Sequence, residues 1–190
     1  MRQPCWRTLS SRTILDLPPW FSVIQDSIML PSGRTVDDFY RINAPDYVLV
    51  TAVNPEGAVL FERQYKQCLG RNILTSPAGG VEPNETPIAA AKRELMEETG
   101  YAAKKWEYMG GFTVDGTRGI CKAHMFLATG LEQSGTACPD DMEQCELVFL
   151  TRREIKEAFR NREITLLPDI AILSMATSDL FSDFFEECRE

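Results

Sequence analysis

Histidine is almost absent from this chain. Only His124 among its 190 residues is a histidine, and the six cysteines are scattered without a C-x-x-C spacing. Zinc sites need clustered cysteine or histidine ligands, so no zinc site is expected. The same shortage argues against zinc hydrolases and against serine or cysteine mechanisms that need more than one well-placed histidine. We interpret His124 as a structural residue of a strand, and the cysteines as reduced thiols of a cytoplasmic protein.

Long apolar runs are also missing. No segment approaches the roughly 18 apolar residues of a membrane span, and residues 1–10 lack an uninterrupted apolar core, so we expect neither a membrane segment nor a secretory signal. Basic residues are outnumbered, because 20 Lys and Arg face 28 Asp and Glu, for a net charge of −8. Nucleic-acid-binding proteins usually carry basic patches, so no nucleic-acid partner is expected. An acidic surface still permits a phosphate substrate if metal ions mediate the contact.

Composition and local patterns predict an α+β fold. The chain has 44% hydrophobic and 25% charged residues, as ordinary globular proteins do, and its length suits one domain. Short alternating or β-branched runs predict strands, and helical patterns occupy separate segments. The predicted strands cover residues 12–17, 21–30, 35–42, 47–53, 58–65, 106–112, 120–128 and 145–150. The predicted helices cover residues 87–99, a segment that begins with a capping box at Thr151, and residues 169–185.

The clearest local signal is a helix inside the run from Gly79 to Tyr101. Thr86 is a suitable N-cap, and Pro87 suits the first helical position, where a missing N–H costs nothing. Gly100 can end the helix in the left-handed conformation. One face carries apolar residues at helical spacing and should pack on a core; they are Ile88, Ala91 and Leu95.

Carboxylates crowd a second face of this helix. Glu94, Glu97 and Glu98 stand three and four residues apart, and Arg93 lies one turn before Glu97 and can pair with it. Like charges stacked in this way destabilise an isolated helix by a few tenths of a kcal/mol per pair. A divalent cation bound by oxygen ligands would offset that repulsion. The alternative interpretation is a solvated, charge-rich amphipathic helix.

The same run resembles the Nudix box, the signature of the Nudix hydrolases. The box specifies glycine, glutamate, Arg-Glu, an aliphatic residue, Glu-Glu and glycine at fixed spacing. Eight positions fall in register: Gly79, Glu85, Arg93, Glu94, Leu95, Glu97, Glu98 and Gly100. Only the last position departs mildly, because Tyr101 stands where an aliphatic residue is usual. Eight specified positions favour the resemblance over the solvated-helix interpretation.

The resemblance implies a fold. We expect a mixed β-sheet sandwiched between α-helices, preceded by an N-terminal antiparallel strand segment. The strand segment would cover residues 1–44, and the Nudix hydrolase domain would cover residues 45–190. It further implies a homodimer, with the N-terminal strands at the interface. Trp20 and Phe21 could belong to that interface, pack in a core or stack on a base.

The resemblance also implies a metal site on the helix. Glu94, Glu98 and the backbone carbonyl of Ala78 would bind Mg²⁺, with Mn²⁺ as an alternative. Glu97 would be a further ligand or support the ligands, and Arg93 would orient the carboxylates. Two more acidic residues of the loop, Glu82 and Glu85, are expected to brace it or to be solvated.

Outside the box, the chain resembles the ADP-ribose pyrophosphatase branch, the nucleoside-diphosphate-sugar hydrolases. This wider resemblance covers about residues 6–176 and rests on four segments: Leu30-Pro31-Ser32-Gly33, Arg63-Gln64-Tyr65-Lys66, Pro77-Ala78-Gly79 and Glu143-Gln144-Cys145-Glu146. It implies that the general base comes from an acidic loop. Glu143 is the first candidate and Glu146 the second, against the alternative of an exposed acidic loop. Arg63 would contact a phosphate of the substrate, or else be an ordinary charge at a strand edge.

The implied function is metal-dependent hydrolysis of a nucleoside diphosphate sugar to a nucleoside monophosphate and a sugar phosphate. Two departures from the branch leave the substrate open. Asp115-Gly116 stands where the branch has Pro-Gly, and residues 74–76 lack an acidic residue before Pro-Ala-Gly. GDP-mannose, another sugar nucleotide or a dinucleotide is therefore an alternative substrate to ADP-ribose. A non-catalytic nucleotide-sugar sensor is the alternative class, but the intact helix carboxylates favour an enzyme.

Overall fold

The computed structural model describes residues 5–137 and 145–177. These residues form ten β-strands, three α-helices and one short 3-10 helix, Gln67–Leu69. The strands are β1 (Arg7–Leu17), β2 (Phe21–Met29), β3 (Thr35–Asn43), β4 (Tyr47–Val53), β5 (Val59–Lys66), β6 (Arg71–Thr75), β7 (Ala78–Gly80), β8 (Tyr101–Thr113), β9 (Lys122–Gln133) and β10 (Cys145–Leu150). The helices are α1 (Pro87–Thr99), α2 (Arg152–Arg160) and α3 (Leu167–Thr177). The described residues divide into two compact units: residues 5–46 with 112–122, and residues 47–111 with 123–137 and 145–177.

The first unit is built on an antiparallel sheet of β1, β2 and β3 in that order. A tight turn joins β2 to β3, where the Gly33 N–H donates to the Leu30 carbonyl at 2.9 Å and Gly33 has a φ of 85°. All eleven residues of β1 are exposed. This sheet and the turn between β1 and β2 carry exposed large apolar side chains: Leu9, Ile14, Leu15, Leu17, Trp20 and Tyr40.

An ion pair between a buried carboxylate and a partly exposed guanidinium connects β2 to β3. The Asp26 side chain is only 3% exposed, and the Arg41 guanidinium contacts both of its carboxylate oxygens, at 2.5 and 3.2 Å. The hydrogen bond from Arg41 holds the pKa of Asp26 below its usual range, although burial opposes this shift. A carboxylate with a lowered pKa stabilises the fold above its unfolded-state pKa and loses that contribution as the pH falls through its folded-state value.

Replacing Asp26 with asparagine should therefore destabilise the first unit. We expect Asp26→Asn to lower the free energy of unfolding by about 1–2 kcal/mol at neutral pH, because Arg41 is partly exposed and solvent screens the pair. The difference should shrink as the pH falls through the lowered pKa of Asp26. Urea unfolding followed by tryptophan fluorescence measures both effects, with the exposed strand residue changed in Asp38→Asn as the matched control. Equal stability of the two variants at pH 7 would contradict this assignment.

The second unit contains a seven-stranded mixed sheet. Its main order is β10-β5-β4-β9-β8, with β6 paired to β5 and β7 paired to β4. β4 runs parallel to β9 and antiparallel to both β5 and β7. The five central residues of β4 are buried, as a strand covered on both faces requires. The predicted buried strand over residues 47–53 is confirmed.

Helices cover both faces of this sheet. α1 packs on one face, where Val48 and Val50 meet buried Ala91 and Leu95 in one apolar cluster. The other face carries a second cluster, to which β4 contributes Leu49 and the helices contribute Ile155, Ala158, Ile172 and Leu173. Alternate residues of β4 therefore serve opposite clusters, as the two-residue period of a strand dictates. The predicted sheet between α-helices is confirmed, together with the α+β class and the N-terminal antiparallel sheet.

Several predicted boundaries needed correction. Three strands are longer than predicted. β1 begins earlier, at Arg7, and β8 begins earlier, at Tyr101. β9 ends later, at Gln133. Two strands were not predicted at all, namely β6 and the three-residue β7. The predicted C-terminal helix is present as α3, but its predicted extension beyond residue 177 lies outside the described residues. In the described ranges, no helix has both the length and the apolar character needed to cross a bilayer.

Candidate active site

Local signals fix the ends of α1 as predicted. The Thr86 hydroxyl accepts a hydrogen bond from the Ala89 N–H at 3.4 Å, and Pro87 occupies the first turn. At the other end, Gly100 has a φ of 73° and its N–H donates to the Met96 carbonyl at 2.8 Å. Left-handed geometry of this kind favours glycine. The helix therefore begins and ends where these local signals predict.

Two carboxylates of α1 are buried against β7. Glu94 is 9% exposed and Glu98 is 6% exposed. A carboxylate oxygen of Glu98 accepts a hydrogen bond from the Ala78 N–H at 3.0 Å. Glu94 lies directly on Gly79, so a Cβ atom at Gly79 would overlap its carboxylate group. The glycine at this position therefore gives the Glu94 carboxylate the space it occupies.

Arg93 joins the helix to the loop before it. Its guanidinium binds Glu85 at 2.9 and 3.0 Å, Glu94 at 2.7 Å, Glu97 at 3.1 Å and the Gly80 carbonyl at 2.9 Å. The hydrogen bonds to Glu85 are the main reason that the pKa of Arg93 is raised above its ordinary value. The same contacts hold the pKa of Glu85 below its usual range. One permanent positive charge thus neutralises part of the acidic cluster.

Glu85 braces the loop, as expected. Besides its contacts with Arg93, it accepts a hydrogen bond from the Glu82 N–H at 3.1 Å. It therefore connects the start of the loop to the middle of α1. The predicted pairing of Arg93 with Glu97 is also confirmed.

The residues fit a divalent cation through two of the three helix carboxylates. Within the described ranges, no three His, Cys, Asp or Glu side chains are grouped so that they could share a metal ion. Glu97 differs from the other two in exposure, since its side chain is 53% exposed, and it shares the Arg93 guanidinium with Glu94. Glu94 and Glu98 lie beside the backbone of β7, whose carbonyl oxygens can also serve as metal ligands. Such hard oxygen ligands are the ones that Mg²⁺ prefers.

The other predicted site residues lie on or near β5 and β10. Arg63 forms ion pairs with Glu163 at 2.9 Å and with Glu146 at 3.7 Å. Glu146 stands opposite Arg63 in the β5–β10 register and is largely exposed. Glu143, the first candidate for the general base, lies outside the described residues. His124 accepts or donates a hydrogen bond at 2.9 Å with the Tyr108 hydroxyl.

Sequence reasoning missed Asp169. This residue is 1% exposed and lies on α3, and its carboxylate accepts hydrogen bonds from the Ser76 N–H at 2.7 Å and from the Thr75 hydroxyl at 3.2 Å. Burial raises the pKa of Asp169, and the Ser76 N–H opposes that shift. The sequence offered one indication of its role, because Asp169 is the only charged residue between Thr165 and Thr177.

The family follows from this geometry and from a match to known proteins. Residues 44–170 match the model of the NUDIX domain. The chain belongs to the Nudix hydrolase family. Residues 6–42 also match the nucleoside diphosphate sugar hydrolase N-terminal domain, which covers the three strands of the first unit. The predicted resemblance to the nucleoside-diphosphate-sugar branch is therefore confirmed, and so is the prediction of an enzyme.

The chain is also similar to individual known proteins. The chain is 32% identical to the ADP-ribose pyrophosphatase of Bacillus subtilis (strain 168) over 142 residues, covering 73% of this chain and 75% of the relative. It is 31% identical to the methanol dehydrogenase activator of Bacillus methanolicus over 140 residues, with the same coverage. A crystal structure of an ADP compounds hydrolase shares the fold, with a TM-score of 0.78 at 16% identity over 97% of this chain and 96% of that one.

Proposed function

We propose that this Nudix hydrolase cleaves the pyrophosphate bond of a nucleoside diphosphate sugar of the ADP-ribose type, using Mg²⁺. The observation that carries the proposal is the pair of buried carboxylates, Glu94 and Glu98, held against the backbone of Ala78 and Gly79. The match of residues 6–42 to the nucleoside diphosphate sugar hydrolase N-terminal domain supports the substrate class. The similarity to the ADP-ribose pyrophosphatase of Bacillus subtilis supports the choice of ADP-ribose.

The proposed reaction is a displacement at phosphorus by water. The water oxygen bonds to one phosphorus atom, the bridging P–O bond breaks, and the water gives its proton to a base. ADP-ribose would give AMP and ribose 5-phosphate. Mg²⁺, or Mn²⁺ in its place, would be held by Glu94, Glu98 and the Ala78 carbonyl, where it supplies charge neutralisation and Lewis acidity.

Side chains of the protein have separate roles in this proposal. Arg93 holds Glu94 and Glu97 in place while it neutralises part of their charge. Glu97 supports the ligands or joins them when more than one cation is bound. Glu143 remains the proposed general base and Glu146 the second candidate. Arg63 is the proposed phosphate contact, although it would have to share its charge between the substrate and its partners Glu146 and Glu163.

A substrate panel tests the proposed function. The full chain is incubated with MgCl₂ and, in turn, ADP-ribose, GDP-mannose, a UDP-sugar and a dinucleotide, and products are separated by ion-exchange chromatography. We expect AMP and ribose 5-phosphate from ADP-ribose, at a rate that falls to background in EDTA. Faster hydrolysis of another substrate would change the specificity but keep the reaction. Tight binding of a nucleotide sugar without any turnover would replace the enzyme with a sensor.

The exposed sheet of the first unit supports the predicted homodimer. β1 is an edge strand with every residue exposed, and residues 5–137 and 145–177 leave apolar side chains on this sheet uncovered. Large exposed apolar surfaces usually mark an interface. A second copy of this sheet is the proposed occupant.

The dimer can be tested with two matched leucines. Leu15 on β1 is 43% exposed, and Leu69 in the second unit is 44% exposed. Light scattering coupled to size exclusion should give twice the chain mass for the wild type and for Leu69→Asp, but the monomer mass for Leu15→Asp. A monomeric wild type at micromolar concentration would rule out the dimer.

A cytoplasmic location is part of the same proposal. Cys5, Cys68, Cys121 and Cys145 are all free thiols in the part of the chain that the structure describes. Free thiols are usual in a reducing compartment. The proposed nucleotide-sugar substrate also requires no membrane partner.

A further inference from the structure

A buried carboxylate from α3 lies beside the chain segment that leads into β7. Asp169 contacts both Thr75 and Ser76, which precede it by more than ninety residues in the chain. An aspartate in the first turn of a helix normally serves the N–H groups of that helix. Asp169 instead accepts hydrogen bonds from another segment, so α3 brings this carboxylate to the residues before the Nudix box.

Burying the Asp169 carboxylate costs free energy unless hydrogen bonds compensate for its lost hydration. A carboxylate loses hydration in the interior, and burial accordingly raises the pKa of Asp169. Hydrogen bonds from the Ser76 N–H and the Thr75 hydroxyl offset part of that loss. An apolar residue at the same position would avoid the cost and leave the Ser76 N–H buried without this acceptor.

The carboxylates of Asp169 and Glu98 accept hydrogen bonds from two N–H groups of the short segment from Ser76 to Ala78. Pro77 has no N–H group, so Ser76 and Ala78 carry the neighbouring donors. Asp169 accepts from the Ser76 N–H at 2.7 Å, and Glu98 accepts from the Ala78 N–H at 3.0 Å. The Pro77 carbonyl between them accepts from the Val50 N–H at 2.9 Å, which ties the segment to β4. Hydrogen bonds to α3, α1 and β4 therefore hold the backbone from Ser76 to Ala78 in place.

We propose that Asp169 is a positioning residue, which fixes the Ser76–Ala78 backbone so that the Ala78 carbonyl and Glu98 can bind a divalent cation together. The inference rests on the proposed function, because it assumes that this pair binds the cation. Asp169 does not touch the cation or the substrate. It acts through the backbone, and its removal should weaken cation binding even when the fold survives.

The test measures Mn²⁺ binding to the full chain by electron paramagnetic resonance of free Mn²⁺. Asp169→Ala removes the acceptor, and we expect the Mn²⁺ dissociation constant to rise about tenfold or more, as when outer partners of metal ligands are lost. Asp169→Asn should stay within about threefold of wild type, because its side-chain carbonyl can still accept from the Ser76 N–H. If Asp169→Ala does not fold, Asp169→Ser replaces it, since its shorter side chain cannot reach the same donor.

A destabilised variant elsewhere separates positioning from general stability. Ile155 lies on α2, in the apolar cluster that also contains Ile172 and Leu173 of α3, and lines a groove with Val53 and Val59. Ile155→Ala should lower the melting temperature by a similar amount but leave Mn²⁺ affinity unchanged. Equal loss of affinity in Ile155→Ala and Asp169→Ala would overturn the proposal, as would unchanged affinity in Asp169→Ala. If the wild type neither binds Mn²⁺ nor hydrolyses a nucleotide sugar, the proposed function itself has failed.

Discussion

Glu98→Gln should abolish metal-dependent hydrolysis while leaving the fold intact. Glutamine has the size of glutamate and keeps an oxygen that can accept from the Ala78 N–H, so the contact at 3.0 Å can persist. The negative charge is lost, and with it the electrostatic attraction for a divalent cation. We expect kcat to fall about a thousandfold, which corresponds to roughly 4 kcal/mol of transition-state stabilisation.

The measurement is steady-state hydrolysis of ADP-ribose in MgCl₂, with a thermal melt of each variant. Glu157→Gln on α2 is the matched control, because it makes the same chemical change at a surface residue paired with Arg153. That control should keep wild-type kcat, and Glu98→Gln should keep the wild-type melting temperature within a few degrees. Activity of Glu98→Gln near the wild-type level would remove Glu98 from the proposed metal site.

Gly79→Ala is expected to have the second-largest effect. A methyl group at this position would overlap the carboxylate of Glu94, which Arg93 holds in place at 2.7 Å. Either the carboxylate or the backbone of β7 must move, and a displacement of about 1 Å at a reacting centre can cost about a hundredfold in rate. We expect a loss of that size in kcat/KM with only a small loss of stability, because the overlapping atoms are the far end of the flexible Glu94 side chain.

The neighbouring glycine provides the control for this substitution. A Cβ atom at Gly80 would meet no other atom within 4 Å, and its carbonyl, which accepts from Arg93, is kept in Gly80→Ala. Gly80→Ala should lose less than about threefold, as surface substitutions away from packed features usually do. If Gly79→Ala is as active as Gly80→Ala, the Glu94 carboxylate is free to move and its position is not important for the reaction.

The sequence predicted those parts of the fold that depend on neighbouring residues. Thr86, Pro87 and Gly100 are all local signals, and the bounds of α1 agree with them. β7 was missed because Ala78-Gly79-Gly80 has little intrinsic preference for a strand. Its conformation depends on pairing with residues 47–49 of β4, which are far away in the chain.

In the candidate site, too, the sequence predicted what depends on neighbouring residues and missed what depends on contacts distant in the chain. Spacing placed Glu94, Glu97 and Glu98 on neighbouring positions of α1, but only packing against β7 decides that Glu94 and Glu98 are buried and Glu97 is exposed. Asp169 could not be found from spacing, since its partners are on a segment more than ninety residues earlier. Glu143 lies outside the described residues, so its role as the general base stays a prediction.

The parallel pairing of β4 with β9 has a consequence for synthesis of the protein. Tyr47 pairs with Ala123 and Val53 with Thr129, so β4 leaves the ribosome long before its parallel neighbour does. Parallel strands joined by long connections must close large loops before their contacts form, which slows folding. The apolar run of β4 therefore lacks this neighbour until residues through 129 have emerged. Chaperones that bind nascent chains should recognise ribosome-bound chains that stop before β9 more strongly than chains that include it.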